Sequence, residues 1–269
     1  FPMQLDLYSY FTLNKNAGLY TKLGVMSRDN LSIEYWALLK NLPNNSWLKI
    51  GRSLPNYGLR VDDHTSFIRG GNYNRTKQLE TKEGLIFTVN EQLPTIFEYG
   101  IPITTHLEWT TSISTPLVSQ NKDDLINFTS MLTNIGSIRD IIKYRASISY
   151  MEEDNLKMYG ISGGASFGKF TWTLAADQVE NWIENSTSLA IYDELTWEIM
   201  KGVQILGKYD FFDPNTELSN GSISRFTIGA EIYPLNIMEV KLQVRINEVD
   251  IENVNQQNPE YLIQTHFYF

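Results

Sequence analysis

Apolar and polar residues alternate with a period of two along most of this chain. The clearest segment is Met238–Asn247, in which the even-numbered positions are apolar and the odd-numbered positions carry Glu239, Lys241, Gln243, Arg245 and Asn247. Successive side chains of a β-strand point to opposite faces. Each alternating segment therefore predicts a strand with one apolar face and one polar face.

Fifteen such segments follow one another along the chain. They run to roughly 9–13 residues, close to the roughly 9–11 of a tilted membrane-spanning strand and longer than the roughly 5–6 of soluble sheets. We interpret Leu79–Asn90 and Phe97–Ile113 as one strand each, the second weakened by Pro102. A single-chain bacterial barrel has an even number of strands. Either the weak segment Leu125–Asn134 is then not a strand, or one strand is missing before Phe1, so we expect about 14–16 strands.

The connections between the predicted strands alternate in length. They are tight at Gly168-Lys169, Lys201-Gly202 and Pro234–Asn236, and longer at Val179–Asn185 and Phe212–Gly221. Short turns at one end and long loops at the other are typical of an outer-membrane barrel. The fold class predicted is all-β, a transmembrane antiparallel β-barrel that forms one domain over residues 1–269, with a soluble all-β fold as the alternative.

Composition agrees with this interpretation. Asp and Glu total 31 against 22 Lys and Arg, a formal net charge of −9, which argues against a nucleic-acid partner. Aromatic residues make up 13% of the chain, as the two interfaces of a membrane barrel require. With no cysteine, the chain can form neither disulfides nor thiolate metal sites, and it carries no haem attachment motif.

The last strand ends on an aromatic residue. In Glu260–Phe269, the side chains of Tyr261, Ile263, Phe267 and Phe269 share one face. This strand resembles the C-terminal signature of the outer-membrane β-barrels of Gram-negative bacteria. The resemblance implies that Phe267 and Phe269 are an assembly signal, that the assembly machinery and membrane lipid are partners, and that the chain end is periplasmic. Counting back from that end makes every tight turn periplasmic.

The alternation stops in a long segment, residues 55–78, rich in Gly, Asn, Asp and Arg, and predicted to be an extracellular loop. The segment Lys49–Arg52 and this loop resemble the first-loop region of porin-like channels. Gly207–Asn215 and Arg225–Glu231 resemble porins of the phosphate-selective type. The same residues resemble, more weakly, channels associated with multihaem c-type cytochromes.

Two sets of charged residues are candidates for a channel. The loop region could fold into the lumen as a charged constriction, or it could be a solvated surface loop held by its own ion pairs; its residues are Arg52, Arg60, Asp62, Asp63, His64, Arg69 and Arg75. The predicted polar strand faces would line the lumen with charges of both signs, among them Lys143, Arg145, Lys157, Lys208, Glu231, Glu239, Lys241 and Arg245.

The sequence contains none of the common catalytic motifs, and the three histidines lie far apart. We therefore predict a non-enzymatic protein without cofactors. Its predicted function is an outer-membrane, porin-like channel for passive diffusion of small polar or anionic solutes. The alternative is a barrel sleeve that holds a partner protein, such as a multihaem cytochrome, across the outer membrane.

Overall fold

The computed structural model describes most of the chain as antiparallel strands. The described residues are 4–26, 31–59, 66–68, 84–85, 93–118, 125–183, 185–250 and 258–267. They contain fifteen strands in a single sheet whose order is the order of the sequence. The strands are β1 (Gln4–Asn14), β2 (Ala17–Met26), β3 (Leu31–Leu42), β4 (Ser46–Arg52), β5 (Thr95–Pro102), β6 (Leu107–Ser114), β7 (Asn127–Ile138), β8 (Ile142–Glu153), β9 (Leu156–Phe167), β10 (Phe170–Glu180), β11 (Thr187–Met200), β12 (Val203–Asp213), β13 (Ile223–Leu235), β14 (Met238–Val249) and β15 (Asn258–Phe267). This confirms the predicted all-β fold class.

Along most of their length, the strands bury their polar face and expose their apolar face. On β14, Arg245 is 2% exposed, whereas Val244 on the opposite face is 41% exposed. On β13, Arg225 is fully buried and Ile228 is 71% exposed. A water-soluble sheet packs its apolar face inward, so this inversion is the arrangement expected of a sheet surrounded by lipid. Below, the polar face is the face that carries Arg225 and Arg245, with its equivalents on the other strands, and the apolar face is the opposite one.

The first compact unit comprises Phe1–Gly58, Phe87–Asn134 and Ser147–Tyr159. Its polar face carries an aromatic pair, Tyr20 and Trp36, whose rings stack with centroids 4.7 Å apart. Trp47 lies over Gly100, where an added Cβ would come within 2.2 Å of the indole ring. The absence of a side chain at Gly100 therefore gives the indole its place on the sheet.

The second compact unit comprises Leu59–Ile86, Ile135–Ala146 and Gly160–Phe269. It includes the regular ladder from β10 to β15, in which each strand pairs with the next along nearly its whole length. The turn at Gly168-Lys169 between β9 and β10, and that at Lys201-Gly202 between β11 and β12, place a glycine at positive φ (57° and 82°). Glycine adopts that conformation without steric cost, which permits connections of only two residues.

Two expectations about the strands need correction. The segment Phe97–Ile113 is not one strand but two, β5 and β6, because the chain turns at residues 103–106; there Ile103 N–H donates to the Leu107 carbonyl at 2.8 Å. The doubted segment Leu125–Asn134 is a strand, since it overlaps β7. Most of the predicted strand Leu79–Asn90 lies outside the described residues, and its two described residues, Gly84 and Leu85, are not in a strand.

Within the described part of the chain, no helix combines the length and the apolar character needed to cross a membrane.

Candidate functional site on the polar face

The beginning of the long loop contacts the polar face within the first unit. The backbone N–H of Asn56 donates to Glu98 Oε2 at 2.6 Å, and Lys49 Nζ lies 2.7 Å from Glu98 Oε1. The N–H of Gly58 donates to Ser149 Oγ on β8 at 3.0 Å. Glu98 is fully buried, and a buried carboxylate needs partners for its charge. Lys49 balances that charge at Oε1, and the loop backbone donates to Oε2.

A second part of the loop, residues 66–68, contacts the polar face within the second unit. The hydroxyl of Ser66 donates to Asp210 Oδ1 at 2.7 Å, and the guanidinium of Arg225 lies 4.5 Å above the ring of Phe67. Arg225 Nη2 also donates to Asp210 Oδ2 at 3.1 Å. All four side chains are at most 1% exposed, so this polar cluster is sealed from water.

Gly84 and Leu85 complete this part of the second unit. The N–H of Leu85 donates to the carbonyl of Phe67 at 2.7 Å, and the side chains of Leu85 and Phe67 are buried. Gly84 has φ of +114°, and an added Cβ would lie 2.6 Å from the Phe67 carbonyl oxygen. The close backbone approach at this point therefore depends on glycine.

Of the predicted constriction residues, only Arg52 lies within the described residues; Arg60, Asp62, Asp63, His64, Arg69 and Arg75 lie outside them. Arg52 belongs to β4, and its register partners are Tyr35 and Thr95. Residues directly opposite each other in an antiparallel pair share a face, and Tyr35 is an exposed residue of the apolar face. Arg52 therefore lies on the apolar face, which corrects its predicted place in the constriction.

Five predicted lumen residues lie on the polar face of β12 to β14: Lys208, Glu231, Glu239, Lys241 and Arg245. Lys241 Nζ lies 3.2 Å from Glu231 and 3.5 Å from Glu239. Glu239 also contacts His266 Nδ1 at 2.6 Å and accepts a hydrogen bond from the hydroxyl of Tyr233 at 2.7 Å. Ion pairs and hydrogen bonds thus connect the polar faces of these neighbouring strands.

Lys143 and Arg145 alternate on β8 with Tyr144 and Ala146 and share the polar face with buried Ser147. Lys157 is different. On β9, Met158 is buried on the polar face, while Lys157 shares the other face with exposed Tyr159 and Ile161. This corrects the predicted lumen position of Lys157. The apolar Leu156 and Met158 lie on the buried face of β9, so the apolar and polar positions of this segment occupy the faces opposite to those expected from the alternation.

Two important residues of the polar face were missed in the sequence. Glu153 is fully buried and accepts hydrogen bonds from the N–H groups of Leu117 and Val118, at 2.6 and 3.1 Å, and from Asn127 Nδ2 at 3.0 Å. The polar run Glu152–Asn155 has the composition of a turn, so nothing in the sequence indicated that Glu153 ends β8 with its side chain buried. Arg225 was part of a family resemblance, yet its alternation with exposed Phe226 was sufficient to place it on the polar face.

The predicted assembly signal is described only in part. Phe267 lies on the apolar face and is 56% exposed, and Phe269 lies outside the described residues. Among the residues that the structure describes, no group of three His, Cys, Asp or Glu side chains is placed to hold a metal ion.

No protein-family model matches the chain, and no curated protein matches it. Its fold is similar to that of solved outer-membrane proteins. In vitro folded OmpT, an outer-membrane protein of Vibrio cholerae, aligns with a TM-score of 0.62 at 12% identity, over 99% of this chain and 89% of that one. The anion-selective porin of Comamonas acidovorans aligns with a TM-score of 0.58 at 8% identity, over 97% of this chain and 85% of that porin. OpdQ of Pseudomonas aeruginosa aligns with a TM-score of 0.54 at 13% identity, over 98% of this chain and 90% of OpdQ. The fold is that of bacterial outer-membrane β-barrels.

Proposed function

We propose that this chain is a porin-like channel of the bacterial outer membrane, through which small polar or anionic solutes diffuse passively. The observation that carries the proposal is the inversion of burial: charged residues such as Asp210 and Arg225 are buried on one face, and large apolar residues are exposed on the other. In a barrel of this fold, the apolar face meets lipid and the polar face surrounds the lumen. A non-enzymatic pore needs no further chemistry than that polar lining.

We also propose that the whole chain is a single barrel domain whose long loop folds inward and narrows the lumen. In the first unit, Asn56 and Gly58 donate to side chains of the polar face; in the second, Ser66 and Phe67 contact Asp210 and Arg225. A loop that is solvated at the surface would not bury Phe67 to 1% exposure. These contacts favour the constriction over the surface loop. The charged loop residues outside the described set remain part of this proposal.

The charges of the polar face support moderate selectivity. Lys241 lies between Glu231 and Glu239, and Lys208 lies 3.9 Å from Asp210, so much of the lining is balanced within ion pairs. A lumen of mixed sign admits a range of polar solutes, whereas a ring of one sign would select strongly. A preference of the phosphate-selective type stays a prediction from the sequence resemblance. So does the orientation that places the tight turns in the periplasm.

Single-channel recording tests the channel. Purified protein folded into planar bilayers should give stable steps of conductance that scale with salt concentration. Correctly folded protein that inserts without conducting would refute the channel. A haem absorption band in protein purified from its native membrane, together with an absence of conductance, would favour the predicted sleeve for a multihaem cytochrome.

A further inference from the structure

Most cations described on the polar face have a carboxylate partner. The ion pairs are Lys22–Asp6 at 2.9 Å, Lys49–Glu98 at 2.7 Å, Arg225–Asp210 at 3.1 Å and Lys241–Glu231 at 3.2 Å. A cation held in this way has its charge balanced and much of its donor capacity in use. Such residues offer little attraction to a passing anion.

Lys143 and Arg145 differ from those cations. Both are exposed side chains on the polar face of β8, and neither has an ion pair or hydrogen bond to any residue that the structure describes. Two residues on one face of a strand are about 7 Å apart along the chain, a separation that these long side chains can close around a small ion. They are therefore two uncompensated positive charges, directed to the same side of the sheet.

The neighbouring strand leaves room beside them. An added Cβ at Gly163 would lie 2.7 Å from the Arg145 carbonyl oxygen, so the two backbones are in direct contact. At Gly164, which has no side chain, the nearest side-chain atom to an added Cβ is the hydroxyl of Thr173, at 3.8 Å. The part of the polar face next to Arg145 therefore carries no large side chain at Gly164, and the hydroxyl of Thr173 lies at the edge of this space.

The nearby carboxylates have other partners. Glu194, which is in register with Thr173, accepts a hydrogen bond from the hydroxyl of Tyr192 at 2.8 Å. Asp140, in the turn before β8, accepts one from Ser137 Oγ at 3.1 Å. Neither carboxylate forms an ion pair with Lys143 or Arg145.

We propose that Lys143 and Arg145, with the hydroxyl of Thr173 at the border, form an oxyanion-binding subsite for the phosphate or carboxylate group of a small solute. The planar guanidinium of Arg145 can donate two parallel hydrogen bonds to such a group, and Lys143 adds a compact positive charge. Because both side chains are exposed, water screens the attraction, so binding is weak enough to permit release. The subsite rests on the proposed channel function, and it names the class of solute.

The test uses the double variant Lys143→Gln/Arg145→Gln, recorded in planar bilayers with chloride as the carrier and inorganic phosphate or acetate as competing ion. The matched control is Arg52→Gln/Lys157→Gln, which removes one arginine and one lysine from the apolar face. In the wild type and the control, phosphate should reduce the chloride current in a saturable manner. In the double variant, the phosphate affinity should fall about tenfold or more, since charge-assisted hydrogen bonds are lost.

Competition by phosphate but not by acetate would assign the subsite to phosphate groups, and competition by both would assign it to oxyanions in general. A double variant that conducts and retains the wild-type affinity for phosphate would overturn the subsite and leave the channel intact. If the wild type inserts but does not conduct, the channel proposal fails instead. Calorimetric titration of the detergent-folded protein with phosphate then decides the subsite alone: heat of binding that is lost in the double variant supports it, and no heat in the wild type refutes it.

Discussion

Phe67→Ala should release the loop from the polar face without unfolding the sheet. The ring of Phe67 is 1% exposed and lies under the guanidinium of Arg225. Removing a buried phenyl ring costs about 3–5 kcal/mol, a value that already contains the lost contact with the cation, worth about 0.5–2 kcal/mol on its own. If this cost falls on the docked loop, the population of undocked loop rises by about two to three and a half powers of ten, since 1.4 kcal/mol corresponds to a factor of ten.

Thiol labelling measures that population. The 269-residue sequence contains no cysteine, so a single Ile68→Cys substitution provides a reporter without background at a position that is fully buried. We expect a membrane-impermeant maleimide to react slowly with this thiol in an otherwise wild-type chain. With Phe67→Ala, the reaction should be faster by up to the same factor, limited by the rate of a fully exposed thiol.

Phe226→Ala is the matched control. It removes the same type of side chain from the residue next to Arg225, but from the apolar face, where Phe226 is 50% exposed. Labelling of the reporter should remain slow in this variant. Equal labelling rates in all three proteins, with the sheet intact by circular dichroism, would refute the docking of residues 66–68 on Asp210 and Arg225.

Two further predictions concern the sheet itself. Gly100→Ala should lower the folded fraction and the melting temperature, because the new Cβ would lie 2.2 Å from the indole of Trp47. Gly207→Ala should be tolerated, because no atom lies within 4 Å of an added Cβ there. Heat-dependent gel mobility measures both variants, and equal behaviour would contradict the packing of Trp47 on Gly100. Ile228→Arg places a charge on the apolar face at a residue that is 71% exposed, and it should destabilise the protein in bilayers by about 2–4 kcal/mol at the mid-plane. Gln264→Arg on the polar face should cost much less in the same urea titration, and a similar cost for both would contradict the assignment of the faces.

The sequence predicted the faces of strands wherever polarity alternated without exception. Met238–Asn247 is such a segment, and Glu239, Lys241 and Arg245 lie where the alternation placed them. The predicted face was wrong where an apolar side chain lies on the buried face of a strand. On β9, Met158 faces the buried side, so Lys157 had to take the other face. At residues 103–106, Thr104 Oγ1 accepts the N–H of Leu107 at 3.0 Å and closes a turn; we interpreted the preceding Pro102 as a weak point within a continuous strand.

The docking of the loop could not have been predicted from local patterns. Ser66 and Asp210 are 144 residues apart in sequence, and neither belongs to a motif that specifies the other. Glu98 and Asn56 are 42 residues apart, and the donor is a backbone N–H that any residue except proline would supply. The sequence indicated that the loop carries charge. Which of its residues contact the strands depends on the three-dimensional course of the chain.

The polar contacts that join β13, β14 and β15 have a consequence for how the barrel assembles. Glu231 lies opposite Lys241 in the ladder, and Glu239 lies opposite His266. A slip of β14 by one residue would turn Lys241 and Arg245 toward lipid, where each basic residue costs about 2–4 kcal/mol at the centre of the bilayer. A β14 displaced by one residue would therefore be energetically disfavoured in the bilayer. The lipid in this way favours the native register of β14, because a shift of a single residue moves its charged side chains into the hydrocarbon region.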